Sequence, residues 1–181
     1  NLDMTLNPDF SQVEVDRQIT NLSRFELFFP ERRLFFLENS DLFANFGFSR
    51  IRPFFSRRIG LFRGESVPII GGARLSGKVN KDWRIGAMSV QTNNVASLDL
   101  AAQNYTVLAA QRRVFRRSSL GLIFVNRQST PRPDSSFSNF NRILGADFDL
   151  FSNNSHWFGK FFYHQSFQPD QPANAFATAG W

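Results

Sequence analysis

The feature of this sequence that most constrains its fold is a series of segments in which apolar and polar residues alternate. In residues 141–151, Leu144 and Phe148 share one face of an extended chain, whereas Asp147 and Asp149 share the other. Such alternation predicts a β-strand with one apolar face, and two such segments joined by a short polar turn predict a β-hairpin. The predicted hairpins span about residues 69–92, 105–127 and 141–167.

The spacing of the hairpins predicts how the strands are connected. The turns within hairpins are short, whereas the links between them, at 93–104 and 128–140, are longer and polar. Short turns that alternate with long loops, and strands of about 9–11 residues, are typical of outer-membrane barrels. We therefore predict an all-β fold of antiparallel up-and-down hairpins that is part of a transmembrane outer-membrane β-barrel. Six strands and the start of a seventh are fewer than the roughly 8 of the smallest barrels, so we expect further strands outside this sequence.

A soluble β-sandwich is the alternative fold, because it shares the alternation and the turns. Segments 83–92 and 118–127 are apolar on both faces and therefore do not distinguish the two folds. If the sheet belongs to a barrel, aromatic residues should form girdles at the edges of its apolar band. The candidates for these girdles are Trp83, Tyr105, Trp157 and Tyr163.

The first third of the chain differs from the rest. Residues 1–63 show no clean periodicity, carry several Phe among Arg and Glu, and contain Pro30, which interrupts a long helix or a central strand. The whole chain has 23 Phe, and a side chain that is large and wholly apolar must face a core or lipid. We predict that 1–63 is an irregular, plug-like segment of short helical turns and extended pieces, and that 64–181 holds the first strands of the barrel.

Several other classes of protein are disfavoured by simple counts. No apolar run approaches the roughly 18–20 residues of a membrane-spanning helix. The chain has no Cys, which excludes a disulfide framework and a thiolate metal site. It begins with Asn1 and shows no targeting sequence, so we expect a mature or internal segment.

The charge of the chain restricts its partners. The formal net charge is +6 and the sequence pI is about 10.7, a balance that suits nucleic acid, anionic lipid or an acidic polysaccharide. A nucleic-acid surface is disfavoured because the Phe residues recur in apolar runs rather than singly among the basic residues. We expect the Arg clusters to pair with acids inside a barrel or to contact lipid headgroups at its rim.

Residues suited to catalysis or to metal binding are few. His156 and His164 are predicted near opposite ends of one strand, too far apart to share a metal ion. Asp147 and Asp149 lie side by side on one strand face, and we interpret them as an internal pair neutralised by a neighbouring cation such as Lys160. No catalytic, cofactor-binding or metal site is predicted. The predicted charge network inside the barrel consists of Arg57, Arg58, Arg74, Lys78, Asp147, Asp149 and Lys160.

Several stretches of the chain together resemble a family of Gram-negative outer-membrane proteins. The family carries a β-barrel domain of unknown function that commonly follows a module similar to family 9 carbohydrate-binding domains. The resemblance covers about Thr5 to Asp149, with Leu34 where Pro is expected and with a basic turn lengthened by Arg116 and Arg117. The stretches that carry it are 5–14, 24–33, 35–38, 55–60, 72–78, 90–92, 104–107 and 126–127.

The resemblance implies an outer-membrane location and a carbohydrate-binding-like module before Asn1, but it supplies no catalytic residues. The function that we expect is that of an outer-membrane barrel protein that handles surface glycan or serves as a subunit of an envelope complex. Its partners would be outer-membrane lipid, glycan and other envelope proteins, with no nucleic acid and no cofactor. The alternatives are a component of a carbohydrate-active enzyme and a soluble β-sandwich that binds an anionic polymer.

Overall fold

The computed structural model describes residues 1–8, 31–48, 51–63, 65–130, 139–154 and 156–169, together with the backbone of 171–180. Antiparallel strands dominate these ranges, which confirms the prediction of a mainly antiparallel β fold. The strands are β1 (Leu2–Leu6), β2 (Leu61–Phe62), β3 (Glu65–Ser66), β4 (Ile69–Lys78), β5 (Trp83–Thr92), β6 (Gln103–Val114), β7 (Ser118–Ser129), β8 (Phe140–Phe151), β9 (Phe158–Gln168) and β10 (Gln171–Gly180).

The helical elements are short. They are the α-helices α1 (Leu34–Leu37) and α2 (Asp41–Ala44) and the 3-10 turns Ser56–Arg58 and Ala96–Leu98. In the part of the chain that the structure describes, no helix has the length and apolar character that a membrane span requires. The Phe-rich and Arg-rich stretch at 24–30, with Pro30, lies outside the described residues.

Eight strands form one antiparallel sheet in the order β1-β4-β5-β6-β7-β8-β9-β10, and β2 and β3 pair separately. From β4 onward each strand pairs with the next strand in the chain, as in an up-and-down meander. The predicted hairpins correspond to β4–β5, β6–β7 and β8–β9, and the longer links join one hairpin to the next. Among the described strands the sheet does not close on itself, because β1 and β10 form its two edges.

Strand β1 is a regular element within residues 1–63, for which the sequence predicts short helical turns and extended pieces. It pairs with β4 in a register that sets Leu2 opposite Leu75 and Leu6 opposite Gly71. Its sequence, LDMTL, alternates apolar and polar residues and so carries the period-two signal of a strand. The signal spans only five residues, which is why it does not stand out in the sequence.

Residues 31–48 and 51–63, here called the inner segment, pack on one face of the sheet, here called the inner face. Burial of apolar side chains is the main driving force for this packing, at roughly 25 cal/mol per Å². The inner segment and the strands contribute about equally to the buried core. Its members are Phe36, Leu42, Phe43, Phe46, Phe54 and Ile59 from the inner segment and Ile69, Met88, Val90, Val107, Ala109, Ile123 and Val125 from the sheet.

Two glycines of the inner face make room for the inner segment. A Cβ atom added at Gly86 would lie 2.6 Å from Cζ of Phe43 and 2.8 Å from Cδ2 of Leu42. A Cβ atom added at Gly121 would lie 2.9 Å from Cε1 of Phe46. Glycine within a strand often marks such a close approach. The glycines therefore define where the rings of the inner segment dock.

The opposite face of the sheet, here called the outer face, carries an exposed apolar band. Its residues alternate along each strand with those of the inner face. Twelve aliphatic and aromatic side chains of this face, spread from β1 to β9, are at least 40% exposed. They are Leu2, Met4, Leu6, Leu75, Ile85, Leu108, Leu120, Leu122, Leu144, Phe161, Tyr163 and Phe167.

The apolar band runs obliquely to the rows of paired residues. The row that starts at Met4 crosses Ser89 and Thr106 and reaches Arg142 on β8 and Phe167 on β9. On β8 the outer-face apolar run from 144 to 150 is centred five residues away from Arg142. On β9 and the residue before it, the outer-face run from 157 to 163 is centred on residue 160, seven residues away from Phe167. Because β8 and β9 are five and six strands from β1, the band shifts by about one residue per strand.

Candidate functional site

Charged side chains of the inner face form the candidate site, and they hold the inner segment against the sheet. Three clusters are involved, and each joins at least one strand to the inner segment or one part of the inner segment to another. They are centred on Asp147, Arg74 and Glu31. A fourth contact is a single ion pair between Arg84 and Asp41.

The first cluster surrounds Asp147 on β8, whose side chain is 3% exposed. Its Oδ1 lies 2.7 Å from Nε2 of His164 on β9, and its Oδ2 accepts a hydrogen bond of 2.6 Å from the backbone N–H of Gly47. The Lys160 ammonium group lies 3.4 Å from Oδ2 of Asp147 and 3.1 Å from Oδ1 of Asp149, and it donates to the carbonyl oxygen of Asn45 at 2.8 Å. The cluster therefore ties two strands to the end of the inner segment that follows α2.

The alternation of side chains along β8 and the register between β8 and β9 bring these residues together. Asp147 and Asp149 point to one face of β8, and the register sets Asp149 opposite Lys160 and Gly145 opposite His164. The imidazole of His164 occupies the space beside Gly145, where an added Cβ would lie 2.5 Å from Cδ2 of the ring. The absence of a side chain at Gly145 on β8 thus leaves room for the His164 ring of β9.

The second cluster surrounds Arg74 on β4, whose side chain is 2% exposed. Its Nη2 lies 2.8 Å from Asp3 of β1 and 3.1 Å from Glu38 of the inner segment. Its Nη1 donates to the carbonyl oxygen of Glu38 at 2.6 Å, and its guanidinium lies 5.5 Å from the centre of the Phe35 ring. One buried cation thereby connects the edge strand, its neighbour and the inner segment, and its charge is compensated as a buried charge must be.

The third cluster stabilises the inner segment itself. The Glu31 carboxylate accepts hydrogen bonds from Nε and Nη2 of Arg33, both 2.8 Å long, and from the Ser56 hydroxyl at 2.6 Å. Arg33 also donates to the carbonyl oxygens of Ile59 and Ser56 and lies over the ring of Phe36. Burial alone would raise the pKa of Glu31, but the hydrogen bonds and charge of Arg33, with the Ser56 hydroxyl, hold that pKa below its usual value.

The Asp41–Arg84 pair fixes the start of α2 on β5. Arg84 donates from Nη1 and Nη2 to the two carboxylate oxygens of Asp41, at 2.7 and 3.2 Å. The hydrogen bonds and charge of Arg84 hold the pKa of Asp41 below its ordinary value. For Asp41 and Glu31 alike, the contribution to stability is present above the ordinary carboxyl pKa and is lost as the pH falls through the lowered one.

The structure divides the seven residues of the predicted charge network. Asp147, Asp149 and Lys160 meet in one cluster, with Lys160 against both carboxylates as expected. Arg74 lies in a different cluster, and Lys78 lies at the exposed turn end of the same strand. Arg57 and Arg58 belong to a 3-10 turn of the inner segment and not to the sheet.

The sequence reasoning missed several members of these clusters. Asp3, Glu38 and His164 were not assigned to the network, although the period-two pattern of β1 could have placed Asp3 on the inner face beside Arg74. The expected position of His164 near a strand end is wrong, because β9 begins at Phe158 and His164 lies in its interior. Tyr105 was also misassigned, since it packs against the buried core instead of joining an outer girdle.

The chemistry that the clusters can perform is limited. His164 and Asp147 form a buried pair, but no hydroxyl group among the described residues is hydrogen-bonded to His164, as a nucleophile activated by it would be. No group of three or more acidic or His side chains in the described ranges is arranged to hold a metal ion. What the arrangement does is fix the inner segment to the sheet at several points.

Residues 1–70 match a family model described as Domain of unknown function (DUF5916), which covers β1, the inner segment and the first residues of β4. No curated protein and no solved structure shows significant similarity to the chain.

Proposed function

We propose that this chain is part of an outer-membrane β-barrel and that the inner segment forms a plug inside it. The outer face would contact lipid, and the inner face would contact the plug. The observation that carries this proposal is the oblique course of the apolar band across the sheet. The resemblance to Gram-negative envelope proteins is consistent with it.

The angle at which the apolar band crosses the sheet agrees with the strand tilt of outer-membrane barrels. With a rise of about 3.3 Å per residue and a spacing of about 4.8 Å between strands, a shift of one residue per strand corresponds to strands tilted by about 35°. Strands of outer-membrane barrels are tilted by about 35–45° to the barrel axis. An apolar band that is parallel to the membrane plane would then cross the rows of paired residues at an angle equal to the strand tilt.

The distribution of polar groups supports the same proposal. Buried charges lie on the inner face, and large apolar side chains lie exposed on the outer face. A soluble sheet would place its apolar face in a core and its polar face in water. The soluble sandwich therefore requires a second apolar layer over the outer face.

The biological role that we propose is binding or handling of surface glycan, or structural support of an envelope complex. The glycan role rests only on the carbohydrate-binding-like module that accompanies the resembled family. An enzymatic role has no support from the described clusters.

The test is to extract the full-length parent protein from outer-membrane fractions and to compare its gel mobility before and after boiling. We expect that extraction will require detergent and that boiling will shift the mobility, as for a closed barrel that unfolds only on heating. Release by salt alone, with no shift on boiling, would contradict the proposal and favour the soluble sandwich.

A further inference from the structure

A basic recess lies on the sheet at the end where the β4–β5 and β6–β7 turns meet. Its volume is about 250 Å³, somewhat below the roughly 300–1,000 Å³ of cavities that hold drug-sized ligands. The recess therefore suits a small group. Its lining consists of Lys78, Lys81, Asp82, Arg84, Gln111, Arg112, Arg113, Arg117, Ser118 and Ser119.

Three cations of this recess differ from the paired cations of the inner face, which include Arg84 of the same recess. Arg74 and Lys160 each have two carboxylate partners, and Arg84 is paired with Asp41. Lys78, Lys81 and Arg113, in contrast, form no ion pair with any residue that the structure describes.

A single acid lies in the lining of the recess. The backbone carbonyl of Asp82 accepts a hydrogen bond from the Arg113 N–H, which holds the two turns together. One carboxylate cannot balance three unpaired cations, so the recess has a surplus of positive charge. Like charges around one recess repel one another, and that repulsion is relieved when an anion binds between them.

We propose that this recess binds a phosphate group. A phosphate offers several acceptor oxygens and up to two negative charges, which match Arg113 and the two Lys side chains. The amide of Gln111 and the hydroxyl of Ser119 add neutral hydrogen-bonding groups to the same lining. The position of the recess at the mouth of a barrel rests on the proposed function, whereas its anion chemistry does not.

The phosphate group can come from a soluble anion or from a lipid headgroup. Isothermal titration of the full-length parent protein in neutral detergent, with inorganic phosphate as the probe and chloride as the background anion, measures the shared chemistry. A second titration in micelles that contain phosphatidylglycerol identifies the source. A lipid headgroup that reaches the recess competes with inorganic phosphate, and the same micelles with phosphatidylcholine provide the comparison.

The test variant is Lys78→Gln combined with Arg113→Gln, and its matched control is Arg127→Gln combined with Arg142→Gln. All four side chains are exposed, and both variants remove two positive charges, but the control pair lies at the opposite end of the strands. We expect saturable phosphate binding that the test variant weakens by about tenfold or more, given the strength of charge-assisted hydrogen bonds. The control should bind nearly as the unaltered chain does.

Two results would overturn the proposal. One is the absence of saturable phosphate binding by the unaltered chain, and the other is an equal loss in the two variants, which would indicate net charge alone. The titration needs folded protein but no membrane. A chain that keeps its boiling-dependent mobility and fails to bind phosphate therefore refutes this inference and leaves the barrel proposal intact.

Discussion

At the scale of single residues, Asp147 joins several partners across the inner face. It contacts an imidazole and an ammonium group of β9 and a backbone N–H of the inner segment. A buried carboxylate of this kind adds stability only while its partners remain in place, because an unpaired buried charge is costly. Asp149, two residues further on, is about one-third exposed, and its described side-chain contacts are with Lys160 and Ser119.

Asp147→Asn should destabilise the folded chain by about 1–3 kcal/mol, because the charge and one acceptor of a buried hydrogen-bonded group are lost. Denaturant unfolding in detergent, followed by tryptophan fluorescence, measures the change. The matched control is Asp149→Asn, for which we expect less than about 1 kcal/mol, as for exposed pairs. Equal effects of the two substitutions would show that the Asp147 contacts to Gly47 and His164 contribute little.

At the scale of elements, packing decides how the inner segment docks. Helices of four residues have too little intrinsic stability to form alone, so α1 and α2 depend on their contacts with the sheet. Those contacts need small residues on the strands, and Gly86 provides the space beneath α2 for Leu42 and Phe43.

Gly86→Ala should destabilise the docked inner segment by about 1–3 kcal/mol, the usual cost of forcing an extra group into a packed core. Limited proteolysis of the inner segment and the unfolding midpoint both report the change. Gly77→Ala is the matched control on the neighbouring strand. Its added Cβ would meet nothing closer than 3.9 Å, so its effect should be small. Increased cleavage in the control as well would show that the added methyl group, and not the contact with α2, is responsible.

The elements also show which parts of the fold could be predicted from the sequence. The hairpins were predictable because period-two alternation and polar turns are local signals. The inner segment was not predictable in detail, because its docking depends on contacts between residues far apart in the chain, such as Gly47 with Asp147. The ion pairs of Arg74 with Asp3 and Glu38 were not predicted for the same reason, because these residues are also far apart in the chain.

At the scale of the whole molecule, the outer apolar band is the feature that the membrane and the soluble hypotheses explain differently. Phe148 lies within the band on β8, where it stacks on Phe161 with ring centres 6.4 Å apart. Ser89 lies on the same face, in a row that is polar on β6 and β7 at Thr106 and Asn126. The two positions differ chiefly in their depth relative to the band.

Phe148→Arg should prevent or slow membrane assembly, at a cost of about 2–4 kcal/mol for a charge at mid-depth of the bilayer. Ser89→Arg introduces the same charge at the polar margin of the band and should assemble nearly normally. Folding of the full-length parent protein with either substitution into lipid vesicles, scored by the mobility shift on boiling, compares the two. Normal assembly of both variants would contradict the assignment of the outer face to lipid.

The position of the inner segment in the chain determines how it is attached to the sheet. It lies between β1 and β4, which are adjacent in the sheet although Leu2 and Leu75 are far apart in the sequence. Pairing of these strands closes a long loop at an entropic cost, and the ion pairs of Arg74 with Asp3 and Glu38 form at the point of closure. The inner segment is thereby tethered at both ends to neighbouring strands. It remains attached at both ends even when it undocks from the inner face, because the β1–β4 pair does not depend on that docking.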